Sequence, residues 1–253
     1  MSTSTSELHS QPSVEASAPA AASAAGRHDL YAGIHKALRL FMSRTLCELG
    51  STDPGNPDEV KTALGQLERL LGLCELHLTD ENEFIHPALE RARPGSAARI
   101  ATEHVHHAEA IADLRDLAGL VADSSGAVRA AACGRLYRAL ALFVAENFQH
   151  MQVEETAHNA LLWAHYSDAE LAAIEQALVA SIPPAAMAEA LHWFLPALNA
   201  PERAAMLAGM QLGMPPEPFA AVLEIARRTL SVPAHAALMR SLGLPPVPGL
   251  VTV

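Results

Sequence analysis

Apolar residues recur at three- and four-residue spacing soon after the start of the chain. Leu30, Ile34, Leu38 and Phe41 follow this spacing, which places them on one face of a helix. We therefore predict a first helix from Asp29 to about Leu49. The letters GSTDPGNPD come next, and their glycines and prolines predict a turn.

Three further long stretches keep the helical spacing of apolar residues. They run from about Glu59 to His86 or slightly beyond, from about Ser96 to Ala122, and from about Val128 to His165. Pro87 disfavours helical geometry at His86, so we expect the second helix to weaken there. Four long helices with short connections predict an all-α protein that contains an up-down-up-down four-helix bundle.

The segments that flank this bundle, which we place at residues 27–166, differ from it in composition. Residues 1–26 are mainly serine, alanine, threonine and proline with little to bury, and they predict a disordered tail. Residues 167–245 hold shorter helical patterns that prolines interrupt, which predicts a smaller helical C-terminal appendage. Residues 246–253 are predicted to form a second tail.

Charge and cysteine content narrow the classes of function. The chain has 17 basic and 28 acidic side chains, a formal net charge of -11, and its basic residues are scattered, so we expect no nucleic-acid partner. No stretch reaches the roughly 18 consecutive apolar residues of a membrane helix, and the N-terminus lacks a signal-peptide pattern. Three cysteines without a CxxC pair argue against a disulfide framework. We therefore expect a protein of the reducing cytoplasm without a membrane partner.

Histidines and carboxylates recur at metal-ligand spacing on the predicted helices. His77 and Glu81 lie four residues apart, about 40° around a helix and one turn along it, so both can reach one ion. His150 and Glu154 repeat this arrangement. Counting residues from the turns places the candidates of neighbouring helices at similar depth. The candidate ligands are His35, His77, Glu81, His104, His107, His150 and Glu154.

The letters around these candidates resemble a known family. The runs IHKAL, HLTDENEFIHPALE, EHVHHAE and ENFQHMQVEE are similar to the hemerythrin-like (HHE cation-binding) family, especially bacterial members with a helical C-terminal extension, over roughly residues 28–245. The resemblance implies a di-iron centre with ligands at His35, His77, Glu81, His104, His150 and Glu154. The oxygen carriers of the family have a second histidine on the third helix, where this chain has Ala108, with His107 one place earlier. Their spacing on the fourth helix would select Glu155.

The number and type of ligands indicate the metal. Seven candidates are too many for one six-coordinate ion, which predicts about two ions per chain. Imidazoles with bridging carboxylates suit non-haem iron, and manganese or zinc can enter the same site. The resemblance then implies a protein that binds, senses or stores O2 or iron, with O2 or another small diatomic or peroxide as its ligand. The sequence identifies no protein partner.

Two alternative functions stay open. Ferritin-like di-iron oxidases and peroxidases use Glu-x-x-His on two helices, a pattern that Glu83-x-x-His86 and Glu155-x-x-His158 match. His86 lies about 180° around an ideal helix from His77, which instead predicts that Glu83 and His86 form a solvated helix end. The second alternative is a metal-free helical interaction module. The sequence also leaves open whether the protein is an enzyme, and it contains no GxSxG nucleophile motif.

Overall fold

The computed structural model describes residues 26–245, and every regular element in this part of the chain is helical. This confirms the predicted all-α class. The tails predicted at residues 1–26 and 246–253 lie outside the described residues, apart from Gly26. The first helix is α1 (Ala32–Ser51). Helix α2 (Pro57–Asp80) continues through a π-helical segment (Glu81–Ile85) into α3 (His86–Ala92). Helix α4 (Ala98–Asp123) follows, and α5 (Gly126–Val153) continues through a second π-helical segment (Glu154–His158) into α6 (Asn159–His165).

The four long helices α1, α2, α4 and α5 pack side by side. Helices α1 and α2 are antiparallel. Thr45, late in α1, contacts Gln66, whereas His35, early in α1, contacts Glu81 just after the end of α2. The contacts of α4 with α2 and with α5 follow the same reversed order. Neighbouring helices therefore run in opposite directions, which brings one end of each helix to a shared level inside the bundle.

Apolar side chains from these helices fill the bundle away from the polar level that the histidines occupy. The core residues are fully buried, and their burial contributes most of the favourable free energy of folding. They include Leu38 and Phe41 of α1, Leu67, Leu70 and Leu71 of α2, Ile111 and Leu114 of α4, and Leu136 and Leu140 of α5.

Both π-helical segments begin at a glutamate. The backbone N–H of His86 donates to the carbonyl of Glu81, and that of Asn159 donates to the carbonyl of Glu154, each five residues earlier. The chain remains helical through Pro87, which lies in the first turn of α3, where a missing N–H is tolerated. The irregularity predicted at His86 takes the form of this wide turn, which precedes the proline and accommodates it, and the helix continues to Ala92.

In the described residues, five shorter helices follow the bundle: α7 (Asp168–Ser181), α8 (Pro184–Ala197), α9 (Ala200–Gly213), α10 (Pro216–Thr229) and α11 (Val232–Ser241). Prolines that the sequence identifies as breaks occupy the first or second position of α8, α9, α10 and α11, where a fixed φ favours helix initiation. Helices α8 to α11 share a hydrophobic cluster that includes Leu195, Leu207 and Phe219. Leu171 of α7 belongs instead to a cluster with Tyr31 and Leu162.

Helix α8 joins these C-terminal helices to the bundle. Trp193 of α8 is buried and stacks on Phe41 of α1, with ring centroids 3.7 Å apart and ring planes 12° apart. The guanidinium of Arg44 lies over the same indole, 5.9 Å from its centroid, at a cation–π distance. The boundary predicted near residue 167 stays a prediction, since Trp193 belongs to the same hydrophobic cluster as the bundle core.

Membrane-spanning potential is weak in the described residues. None of their helices is by itself long and apolar enough to span a bilayer. Helices α7 and α8 reach the required length and hydropathy only as a pair, and they are bent by 120° relative to each other.

Candidate metal centre

Six of the seven predicted ligands lie together inside the bundle. Helices α1, α2, α4 and α5 each contribute a histidine, and the two π-helical segments each contribute the glutamate at their first position. The side chains form two overlapping groups in which all candidate ligand atoms lie within 4.8 Å of one another. One group is His35, His77, Glu81 and Glu154, and the other is Glu81, His104, His150 and Glu154.

The two glutamates belong to both groups because each divides its oxygens between them. Oε1 of Glu81 lies 3.4 Å from Nε2 of His77, and Oε2 of Glu81 lies 3.3 Å from Nε2 of His104. Glu154 repeats this division, since Oε2 lies 3.5 Å from Nε2 of His35 and Oε1 lies 3.2 Å from Nε2 of His150. Two carboxylates thus connect two pairs of histidines.

Neighbouring acceptors orient three of the four imidazoles. Nδ1 of His35 lies 3.0 Å from Glu155 Oε1, and Nδ1 of His150 lies 2.9 Å from Glu103 Oε2. Nδ1 of His104 lies 2.9 Å from the side-chain oxygen of Asn82. Each acceptor requires an N–H on Nδ1, so the lone pair of each neutral ring is on Nε2, which faces the two glutamates.

This arrangement fits a cation between the side chains. Nε2 of His104 and Nε2 of His150 lie 3.1 Å apart, and with Nδ1 protonated on both rings their lone pairs face each other. Both oxygens of Glu81 and of Glu154, and Nε2 of His35 and of His77, are buried without a hydrogen-bond partner. Burying such groups unpaired costs several kcal/mol. The donor set therefore fits metal ions that the glutamates connect.

Burial lowers the pKa of His35, but its hydrogen bonds to Glu155 and Glu81 raise that pKa to about 9, so a metal ion at His35 would displace a proton. The pKa values of two other candidate ligands fit a bound cation directly. Burial lowers the pKa of His77 to about 3, so its imidazole is neutral at neutral pH and keeps a free lone pair. Burial and the neighbouring Glu81 carboxylate raise the pKa of Glu154 to about 7. Two buried carboxylates repel each other, and a bound cation would relieve that repulsion.

The seventh predicted ligand, His107, lies beside these groups. Its ring is buried and packs edge-on against His150, with centroids 4.8 Å apart, and against Phe143. Neither of the two groups includes it. Its role as a ligand stays a prediction, whereas its position supports the ring of His150 from the outer side.

Sequence reasoning missed a cluster of buried polar rings next to the centre. His86 is 7% exposed, stacks on His104 with centroids 4.8 Å apart, and has a buried, unpartnered Nε2. The expectation that His86 belongs to a solvated helix end is therefore wrong, although Glu83 is exposed. His158 is also buried, and its Nδ1 lies 3.3 Å from the hydroxyl of Tyr31. The Tyr31 ring in turn lies beside His35.

The structure separates the roles of Glu154 and Glu155. Glu154 is fully buried between the histidines, whereas Glu155 contacts Nδ1 of His35 and the guanidinium of Arg39.

We expect Glu154→Ala to abolish metal binding, and Glu155→Ala to retain both ions at saturation with about 10- to 100-fold weaker affinity, the usual effect of losing an acceptor behind a ligand. Titration of the apo protein with Fe(II) or Zn(II) measures both effects. Glu83→Ala, at an exposed position, is the control. Equal losses of metal in the Glu154 and Glu155 variants would refute the assignment of Glu154 as the ligand.

Comparison with known proteins gives one match. The family model described as the hemerythrin HHE cation binding domain matches residues 28–161, slightly more than half of the chain. The matched residues include both groups of ligands and end before α7, so the C-terminal helices lie outside the match. No curated protein and no solved structure gives a significant match.

Proposed function

Because the chain belongs to the hemerythrin HHE cation-binding family, we propose that it is a non-haem di-iron protein that binds, senses or stores O2 or iron. The observation that carries this proposal is the division of each glutamate between two pairs of histidines. A carboxylate with one oxygen in each of two ligand groups is suited to bridge two ions. A single ion would leave half of the inward-facing donors unpaired.

Iron is the metal that this donor set suits best. Four imidazoles and two carboxylates give a mixed nitrogen and oxygen environment that accommodates iron, and manganese or zinc are the competing ions. Six protein side chains shared by two ions leave coordination positions open. When bound, a pair of iron ions supplies redox chemistry and open positions for O2, another diatomic or a peroxide. The protein contributes fixed imidazole orientations and a buried site, which limits water access.

The ferritin-like alternative has less support. That pattern requires the carboxylates of Glu83 and Glu155 at the metal, but Glu83 is exposed and Glu155 contacts Arg39 and the outer nitrogen of His35. The interaction-module alternative gives no reason for buried, unpartnered ligand atoms at the centre of the bundle. The di-iron proposal accounts for both observations.

We expect about two iron ions per chain after anaerobic loading with excess Fe(II). Elemental analysis of the desalted protein measures this ratio, and an optical spectrum before and after air exposure tests the reaction with O2. His106→Ala is the matched control, because His106 is an exposed histidine on α4 and should leave the ratio unchanged. A reproducible ratio near one contradicts the di-iron proposal, and a ratio near zero favours the interaction module.

A further inference from the structure

A cavity of about 250 Å³ lies between the bundle and the C-terminal helices. Helices α1 and α2 form one side of the cavity, and α7, α8 and α9 form the other. Most of its lining is apolar. Representative lining residues are Ile34, Leu73, Leu178, Met187, Met206 and Met210.

One end of this cavity reaches the metal centre. His77 and Glu81, which belong to the first ligand group, both line the cavity. The side chain of His77 is 10% exposed, and its Nε2 is buried without a hydrogen-bond partner. A molecule in the cavity would therefore lie against the ligands on the His77 side of the centre.

The polar lining residues restrict the charge of such a molecule. Asp29, Asp80, Glu81 and Glu175 contribute carboxyl groups, and no lysine or arginine is among the described residues that line the cavity. An anion would be repelled there and would lose its hydration without compensation. Because most of the remaining lining is apolar and would not solvate a full charge of either sign, the cavity suits an uncharged ligand.

The volume sets the size of the ligand. An apolar cavity of about 150 Å³ binds benzene in a well-studied case, so about 250 Å³ suits roughly ten non-hydrogen atoms. Three methionines in the lining have flexible thioether chains that adapt to different ligand shapes. This volume exceeds what a diatomic ligand requires.

We propose that this cavity is a binding site for an uncharged, predominantly apolar organic molecule of about ten non-hydrogen atoms. The C-terminal helices, which lie outside the family match, build half of this site. The proposal does not depend on iron, because protein side chains alone form the cavity.

The test compares two probes that share an alkyl chain, 1-octanol and octanoate, by calorimetric titration of the full chain with and without metal. We expect 1-octanol to bind with about one molecule per chain and octanoate at least roughly tenfold more weakly, because the carboxylate meets acidic lining residues. Saturable binding of 1-octanol to the metal-free protein supports the cavity even where the iron proposal fails. Equal affinity for both probes, or no saturable binding of 1-octanol, overturns the proposal.

Variants and contacts place the probe within the structure. Met206→Trp fills the cavity and should weaken 1-octanol binding about tenfold, a loss in the range of a buried side chain's contribution. Met214→Trp is the matched control, because Met214 is partly buried at the end of α9 but does not line the cavity. In the unsubstituted protein, magnetisation transfer from 1-octanol to the methyl groups of Met206 and Met210 is expected in NMR spectra. Equal loss of affinity in both variants, or no transfer to these methyl groups, contradicts the assignment.

Discussion

Glu81→Gln is expected to remove both metal ions, whereas His35→Ala is expected to remove one. Glu81 has one oxygen in each ligand group, and glutamine replaces one of them with an amide nitrogen, a poor metal ligand, and the other with a neutral amide oxygen, so both groups lose the charge of the carboxylate. His35 belongs only to the first group, so the second group keeps its full set of donors in that variant. Elemental analysis after anaerobic iron loading measures the ratio, and circular dichroism verifies that the helices are retained.

The contrast between these two variants tests the bridging role of the carboxylates. Glu81→Gln keeps the size and shape of the side chain, so a loss of metal reports on ligation rather than on packing. His106→Ala, at the exposed position on α4, should keep two ions. Two ions retained by Glu81→Gln, or equal losses in Glu81→Gln and His35→Ala, would show that the carboxylate is not shared.

Removal of metal is expected to lower the melting temperature by about 5–10 °C. Ligands that bind only the folded state stabilise it by about 2.7 kcal/mol at a free concentration one hundred times Kd, and each kcal/mol shifts the melting temperature of a protein of this size by about 2–4 °C. Without an ion, the buried carboxylates and imidazoles also lack partners. Thermal unfolding with excess metal and with a chelator measures the difference.

Replacement of His77 separates this effect from ordinary packing. His77→Ala should lose about half of the stabilisation by metal, because it removes a ligand from the first group and leaves the second group intact. His106→Ala, at the exposed position on α4, is the control and should keep the full stabilisation by metal. Metal-independent melting of the unsubstituted protein would exclude the proposed centre, and full stabilisation of His77→Ala would exclude His77 as a ligand.

The sequence predicts which candidate ligands lie together because local geometry determines their spacing. His77 and Glu81, like His150 and Glu154, lie four residues apart, and each pair ends at the first residue of a π-helical segment. Up to that residue the α-helical period is intact, so counting 100° per residue places both side chains correctly. The bundle follows from the same period, extended over four long stretches of apolar residues.

The same counting fails beyond each π-helical segment. An extra residue in one turn rotates all following side chains by about 100° relative to an ideal helix. This rotation moves His86 from about 180° to about 80° away from His77, which explains why it faces the centre. The sequence has no periodic signal for a single wide turn. The burial of His86 and His158 beside the candidate centre could therefore not be predicted, although both residues belong to the ferritin-like pattern.

Interactions between distant parts of the chain were also beyond sequence reasoning. The acceptors behind the histidines, Glu103 and Glu155, are charged residues that resemble any solvated helix face in the sequence, and only packing brings them to Nδ1 of His150 and His35. The position of the C-terminal helices depends likewise on the contact of Trp193 with Phe41. Such contacts join residues 47 or more positions apart, and local patterns do not encode them.

The stack of Trp193 on Phe41 also determines what the intrinsic fluorescence of this protein reports. The chain contains two tryptophans, and the other one, Trp163, donates its indole N–H to the carbonyl of His28. Each fluorophore therefore lies at a junction, one between α8 and α1 and the other between α6 and the segment that precedes α1. Emission is therefore expected to report the detachment of these flanking segments from the bundle.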